Sequence, residues 1–254
     1  MIPSALSSLS GSWWWPVAAA LPGLVAGWLA TLGIHHLPVA QALRTSLGSC
    51  AACGARGRFI DAMSITRWLA QSGRCRRCRA SISPVAPAVE MIVALLWVLL
   101  AARYGASVHA AALMIFVTAL VALIVIDFQH FLLPDAITLP GIVAGVAATW
   151  LPSWPVSLLD SALSAGIGYF AMMALAKAAE WYYREEALGQ GDWKMVAMLG
   201  AFLGSTKVMA TVLIANGAGA LIGLLLVATL GERGRQKLPL GSFLGAAGIA
   251  MSFW

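Results

Sequence analysis

Charge is the scarcest property of this chain: 16 Lys and Arg and 10 Asp and Glu are spread over 254 residues, only 10% of the total. A soluble domain carries about a quarter of its residues charged, so this composition, 61% apolar with a mean hydropathy of +0.85, excludes an ordinary soluble domain and reads as a polytopic membrane protein. Cysteine is rarer still. Its four copies all fall between residues 50 and 78, which excludes a disulfide scaffold through the rest of the chain. The first residues, MIPSALSSLSGSWWW, lack the basic stretch of a cleavable signal peptide, and the apolar run that follows is long enough to remain as an anchor.

What is abundant is apolar sequence in blocks. Measured against roughly 20 residues per crossing, the runs predict an all-α fold with about eight transmembrane helices, near 13–34, 86–104, 108–126, 137–152, 157–181, 193–204, 206–230 and 239–254. Several of the eleven Trp sit near the ends of these runs, where an aromatic belt belongs. Small residues in GIVAGVAA, SALSAGIG and ANGAGALIG suit close helix contact in lipid. Three regions follow: residues 1–34 as an N-terminal transmembrane anchor, 35–85 as an extramembranous loop domain and 86–254 as a membrane-embedded domain.

The loop 35–85 holds eight arginines, Arg44, Arg56, Arg58, Arg67, Arg74, Arg76, Arg77 and Arg79, against one acid, Asp61. The positive-inside rule places it in the cytoplasm, where these charges meet anionic lipid rather than nucleic acid. Threading eight helices from there puts Arg184, Arg233, Arg235 and Lys237 inside and only Arg103 and Lys207 outside, so the independent charges agree. All four cysteines lie in this loop as Cys50-x2-Cys53 and Cys75-x2-Cys78. Two such knuckles supply the four thiolates of a closed tetrahedral zinc site, structural because no ligand position is left for water. In a reducing cytoplasm disulfides are the poorer alternative.

Two acids stand out against this background. Asp127 closes the run ALMIFVTALVALIVI, and Asp192 sits in Gly189-Gln190-Gly191-Asp192 beside another apolar stretch. Ionisable groups near bilayer depth are costly and mark function. The threaded topology brings both to the cytoplasmic boundary. Two converging carboxylates point to an aspartyl hydrolase; a proton-coupled carrier with relay carboxylates is the alternative, although carriers place their sites near the midplane between internal repeats. Asp135 is a third acid. Pro134 disfavours helix at Leu133, so Asp135 is expected to begin the next segment, where a carboxylate caps helix amides. Gly189 and Gly191 are expected to allow close approach of backbone and unusual dihedrals before Asp192. The exposed acids Glu185 and Glu186 offer a weak attraction for a basic segment, His35 and His36 read as interfacial packing, and His109 and His130 read as non-catalytic, although His130 lies three residues beyond Asp127, near enough in sequence to tune it.

The chain resembles the bacterial type IV prepilin peptidases, aspartyl membrane proteases of the Gly-x-Gly-Asp class. Three blocks carry the resemblance: IDFQHFLLPDAITLP, with Asp127, Leu133, Pro134, Asp135, Thr138, Leu139 and Pro140; GQGDWKMVAMLGAFLG, with Gly189, Gly191, Asp192, Lys194, Ala197, Gly200 and Gly204; and the tetracysteine loop. Other Gly-x-Gly-Asp membrane proteases are the rival, and the tetracysteine loop argues against them. The resemblance implies catalysis by Asp127 and Asp192, supported by Gly189, Gly191, Lys194, Pro134 and Asp135. It also implies an inner-membrane enzyme acting on type IV prepilins or type II secretion pseudopilins, which carry a basic leader and an apolar N-terminal helix and are cut at the cytoplasmic boundary after a glycine. Many such enzymes also methylate the new N-terminus with S-adenosylmethionine, for which Glu90 is the matching candidate. Around it the match weakens: Gly27-Trp28-Leu29-Ala30-Thr31, His35-His36-Leu37-Pro38 and Ile82-Ser83-Pro84-Val85-Ala86-Pro87 stand where the family carries more polar groups.

Overall fold

A computed structural model describes residues 14–37, 53–54, 64–184, 189–231 and 238–254. Among these residues the chain is helical, with one isolated β-bridge, Arg74 to Ser81, and no strand. Helices α1 (Trp14–Ala18) and α2 (Ala20–His36) are followed by the short α3 (Ser64–Ala70), then α4 (Val85–Tyr104), α5 (Val108–His130), α6 (Asp135–Ala148), α7 (Leu158–Tyr183), α8 (Gln190–Leu230) and α9 (Leu240–Met251). Five stretches are long and apolar enough to cross a bilayer: Trp14–His35, Val85–Tyr104, Val108–His130, Leu158–Tyr182 and Gln190–Leu230. The apolar helices α6 and α9 are shorter. Helices satisfy every internal backbone group without water, which is why so apolar a chain adopts them.

Most helical segments fall where the apolar runs put them, with three differences in extent. Helix α5 continues past Asp127 to His130 and stops at Phe131, whose left-handed backbone (φ 52) closes the last turn while its amide donates to the Asp127 carbonyl at 2.8 Å. Helix α6 begins at Asp135 because Pro134 (ψ 131) cannot continue a helix backwards. Helix α8 is one run of 41 residues, which at about 1.5 Å per residue would extend about 60 Å, twice the apolar thickness of a bilayer. It is broken at Gly204, whose φ of 75 and ψ of 176 lie outside helical space and in a region open to glycine. The break frees the amide of Ser205, and the Asp160 carboxylate accepts it at 3.2 Å, capping the second half of α8. The expected segments 193–204 and 206–230 are thus the two halves of α8.

The chain divides into two compact units, residues 1–118 and 119–254. In the first, α2 lies directly on α4: a Cβ on Gly27 would stand 2.7 Å from the Glu90 Cα, and one on Gly23 2.9 Å from the Ala94 Cα. Glu90 is fully enclosed and accepts the amides of Ser64 and Ile65, each at 2.9 Å. It therefore caps the N-terminus of α3, not that of its own helix, in which it is the sixth residue.

In the second unit, the first half of α8 is the axis. Met195, Met198, Leu199 and Ala201 have no exposed surface, and the neighbouring helices reach them through small residues, including Gly145 of α6 against Ala201, Gly168 of α7 against Val196, and Gly248 of α9 against Leu199. The Ser161 hydroxyl adds a buried bond of 2.7 Å to the Ala201 carbonyl. Close packing thus explains GIVAGVAA and SALSAGIG. ANGAGALIG packs only in part: Ala215 is buried and a Cβ on Gly223 would stand 3.3 Å from Leu238 Cδ1, whereas one on Gly217 would meet open space and one on Gly219 only the edge of Phe243.

Candidate active site

Both aspartates belong to the second unit. Asp127 lies in the last turn of α5 and is 5% exposed. Asp192 is in the first turn of α8, with a carboxylate close enough to that of Asp127 for direct coulombic interaction. Three helix starts surround the pair. Helix α8 begins after Gly189, whose carbonyl accepts the Asp192 amide at 3.1 Å, and the acid at the third helical position turns back toward the cap, its Oδ2 3.6 Å from where a Cβ of Gly189 would stand. Helix α9 aims its first turn at Asp127: the Ser242 amide and hydroxyl both donate to Asp127 Oδ2, at 2.6 and 3.0 Å. Helix α6 begins at Asp135, and Lys194 of α8 bonds both of its carboxylate oxygens, at 2.6 and 2.8 Å. Helix starts carry unpaired amides and a positive dipole end, an environment that favours negative charge.

Leu133, in the turn between α5 and α6, is the wedge between these starts. A Cβ on Gly191 would lie 2.6 Å from the Leu133 Cβ, and one on Gly241 2.9 Å from its Cδ1 and 3.0 Å from the Asp127 Cγ. Gly191 and Gly241 therefore let Leu133 and Asp127 approach the backbones of α8 and α9. This differs from the sequence expectation for Gly189 and Gly191: Gly189 is in ordinary extended backbone (φ −69, ψ 143) and neither glycine has a positive φ. Asp135 also differs, since it opens α6 as expected but its carboxylate goes to Lys194 and makes no cap bond. His130 is exposed one turn beyond buried Asp127, and His109 stacks on Tyr104 with ring centres 5.1 Å apart.

Sequence reasoning missed Ser242 and Gly241. Their only signal is Pro239-Leu-Gly-Ser opening a short apolar helix, with a hydroxyl in its first turn.

In the first unit, the Sγ atoms of Cys53, Cys75 and Cys78 all lie within 4.8 Å of one another, with Cys53 and Cys75 3.9 Å apart. Thiolates about 2.3 Å from a tetrahedral zinc stand about 3.8 Å apart, so the three fit. The second knuckle is a tight turn: Arg79 donates to the Cys75 carbonyl and Cys75 to the Ala80 carbonyl, both at 2.9 Å, with Arg79 left-handed (φ 59). Cys50, Glu185 and Glu186 lie outside the described residues. Glu90, the candidate for the methylation chemistry, is enclosed, and each of its oxygens accepts one α3 amide.

Residues 114–224 match the model of the type IV leader peptidase family, and residues 21–104 match that of the bacterial peptidase A24 N-terminal domain. A prepilin leader peptidase/N-methyltransferase of Pseudomonas putida is 35% identical over 222 residues, covering 86% of this chain and 77% of that protein. The type 4 prepilin-like proteins leader peptide-processing enzyme of Escherichia coli O78:H11 is 32% identical over 253 residues, covering 92% of each. A prepilin leader peptidase/N-methyltransferase of Myxococcus xanthus is 31% identical over 212 residues, 84% of this chain and 63% of that protein. No solved structure matches. The long apolar helices and these matches define a multi-pass protease of the inner membrane. The chain belongs to the type IV leader peptidase family.

Proposed function

We propose that the chain is a prepilin leader peptidase whose catalytic pair is Asp127 and Asp192, acting on a prepilin or pseudopilin with a basic leader and an apolar N-terminal helix. The observation that carries this reading is that the last turn of α5 carries Asp127 and the first turn of α8 carries Asp192 with the two carboxylates in electrostatic range of one another, Asp127 being held by the start of α9. Two carboxylates that feel one another's charge do not both ionise readily, and on this reading the pair shares a proton. One carboxylate takes a proton from water as it attacks the scissile carbonyl and the other protonates the carbonyl oxygen; as the C–N bond breaks, the first passes its proton to the leaving amine and the second takes one back from a hydroxyl of the gem-diol. Gly189, Gly191, Lys194, Pro134 and Asp135 set the helix starts that hold the pair.

In the bilayer, the reading takes α1 and α2 as one crossing, the two halves of α8 as two, and α4, α5, α6, α7 and α9 as one each, giving eight. Residues 1–34 then anchor the chain, 35–85 form a cytoplasmic domain held by structural zinc on Cys50, Cys53, Cys75 and Cys78, and 86–254 form the peptidase. The aspartates face the cytoplasm at the membrane edge, with the substrate's apolar helix among enzyme helices and lipid. Methylation of the new N-terminus with S-adenosylmethionine is the second activity carried by the relatives' names. In this chain Glu90 serves it only indirectly, by fixing α3.

The test is leader release from a purified prepilin. The wild-type chain is expected to cut one bond at the leader boundary, and Asp127→Asn and Asp192→Asn to cut it at least about 1,000-fold more slowly. Cleavage by either variant at the wild-type rate contradicts the assignment. Adding S-adenosylmethionine and weighing the mature product reads methylation separately, with an unmodified amine limiting the enzyme to proteolysis.

A further inference from the structure

The start of α9 touches the dyad through one residue that the aspartate motifs do not contain. Ser242 is 115 residues from Asp127 in sequence, yet its amide and hydroxyl both donate to the same oxygen, Oδ2, at 2.6 and 3.0 Å. Among the described residues, no hydrogen bond reaches Oδ1 of Asp127. Gly241, immediately before, leaves no room for a Cβ beside the Asp127 Cγ, so the first turn of α9 fits the carboxylate by shape as well as by hydrogen bonds. The Ser242 hydroxyl has a second acceptor in range, the Ile124 carbonyl of α5 at 3.1 Å. A hydroxyl carries a single proton and serves one of these acceptors at a time.

We infer that Ser242 is a positioning residue for the peptidase reaction: it pins Oδ2 of Asp127 and leaves Oδ1 as the oxygen that exchanges a proton with water and substrate. While Asp127 is charged, the hydroxyl donates to Oδ2, where a bond to an ionised acceptor is at its strongest. When Oδ1 takes the proton from attacking water, the demand at Oδ2 falls and the hydroxyl turns to the Ile124 carbonyl, while the amide stays on Oδ2. When that proton passes on, the hydroxyl returns. Every donor keeps an acceptor in both states, which avoids the cost of an unsatisfied polar group during turnover. Among the described residues, the ionisable group that acts with Asp127 is Asp192 of α8. Helix α9 contains none between Leu240 and Met251, and the nearest on α5 is His130, which is exposed.

This inference rests on the dyad reading, and the two fail separately. Cleavage by Asp127→Asn at the wild-type rate would remove the reading itself, whereas the inference is decided by Ser242→Ala, which loses the hydroxyl and keeps the amide. Leader release is measured against pH for the wild type, Ser242→Ala and Ser242→Thr in the same detergent. The alanine variant is expected to lower kcat about tenfold with KM changed less than about twofold, and to move the acid limb of the kcat/KM profile towards higher pH because charged Asp127 has lost a donor. Ser242→Thr is expected to keep the wild-type profile. Ser242→Cys, with a weak S–H donor, is expected between the two and serves if the alanine protein does not fold. A purely structural role would lower the melting midpoint and the active fraction without moving the profile, so Ser242→Ala or Ser242→Cys with the wild-type profile overturns the inference.

Discussion

Replacing Gly191 with alanine tests how the second aspartate is held. The added methyl would lie 2.6 Å from the Leu133 Cβ, 3.3 Å from its Cδ1 and 3.4 Å from its Cγ. Carbon atoms rest about 3.5–4.0 Å apart, so the turn carrying Leu133 and the first turn of α8 must separate by about 1 Å. The nearest atom is the Cβ, fixed to the backbone, so rotation of Leu133 does not relieve the overlap, and Leu133→Ala as a second change leaves it in place. Overpacking of this kind costs about 1–3 kcal/mol. The kinetic effect is larger, because Asp192 is the next residue and a displacement of about 1 Å in a catalytic group costs about 100-fold. The assay is leader release under single-turnover conditions beside the thermal midpoint of the same sample. The expected result is a folded protein with a modestly lowered midpoint and kcat/KM reduced about 100-fold. Wild-type kcat/KM in a folded Gly191→Ala protein would refute the claim that Leu133 sets the position of Asp192.

Gly204→Ala places a side chain at φ 75 with its Cβ 2.5 Å from the Asp160 Oδ2; the backbone strain alone costs about 1–3 kcal/mol. The measurement is the thermal midpoint, which should fall, and an unchanged midpoint would show that α8 needs no glycine at its break. Glu90→Gln removes the charge that receives two α3 amides and turns a donor group towards one of them, a loss of about 2 kcal/mol. Amide exchange at Ser64 and Ile65 should then quicken at least about tenfold, and unaltered exchange would contradict the cap. Metal analysis should find about one zinc per chain, lost in Cys75→Ser with α3 loosened but the apolar helices intact. Folded, metal-free wild-type protein would contradict the zinc reading.

The helical segments were legible because a bilayer demands about 20 apolar residues per crossing, and few other signals compete in a chain with so little charge. Even the division of α8 could be read, since a run of that length exceeds one crossing. ANGAGALIG, packed only in part, shows the limit: small residues mark where close contact is possible, and the neighbour decides whether it occurs. Asp127, Asp192 and the role of Pro134 were visible as local chemistry. Ser242 was not, because a serine in the first turn of an apolar helix has the same local pattern whether it faces lipid, a carbonyl or a carboxylate. Its partner is fixed by packing 115 residues away. Glu90 shows the same limit, since its fit to the family position says nothing of the α3 amides that occupy it. The reason for Gly191 likewise lies in Leu133, on the other aspartate block.

The central claim is that Asp127 and Asp192 act as one unit, and non-additivity measures it most directly. Single-turnover leader release is compared for Asp127→Asn, Asp192→Asn and the double variant, each shown to bind the prepilin. If the carboxylates share one proton and one water, each single variant loses at least about 1,000-fold and the double loses no more than either. Losses that multiply in the double variant, or a single variant that retains wild-type cleavage, would contradict the account.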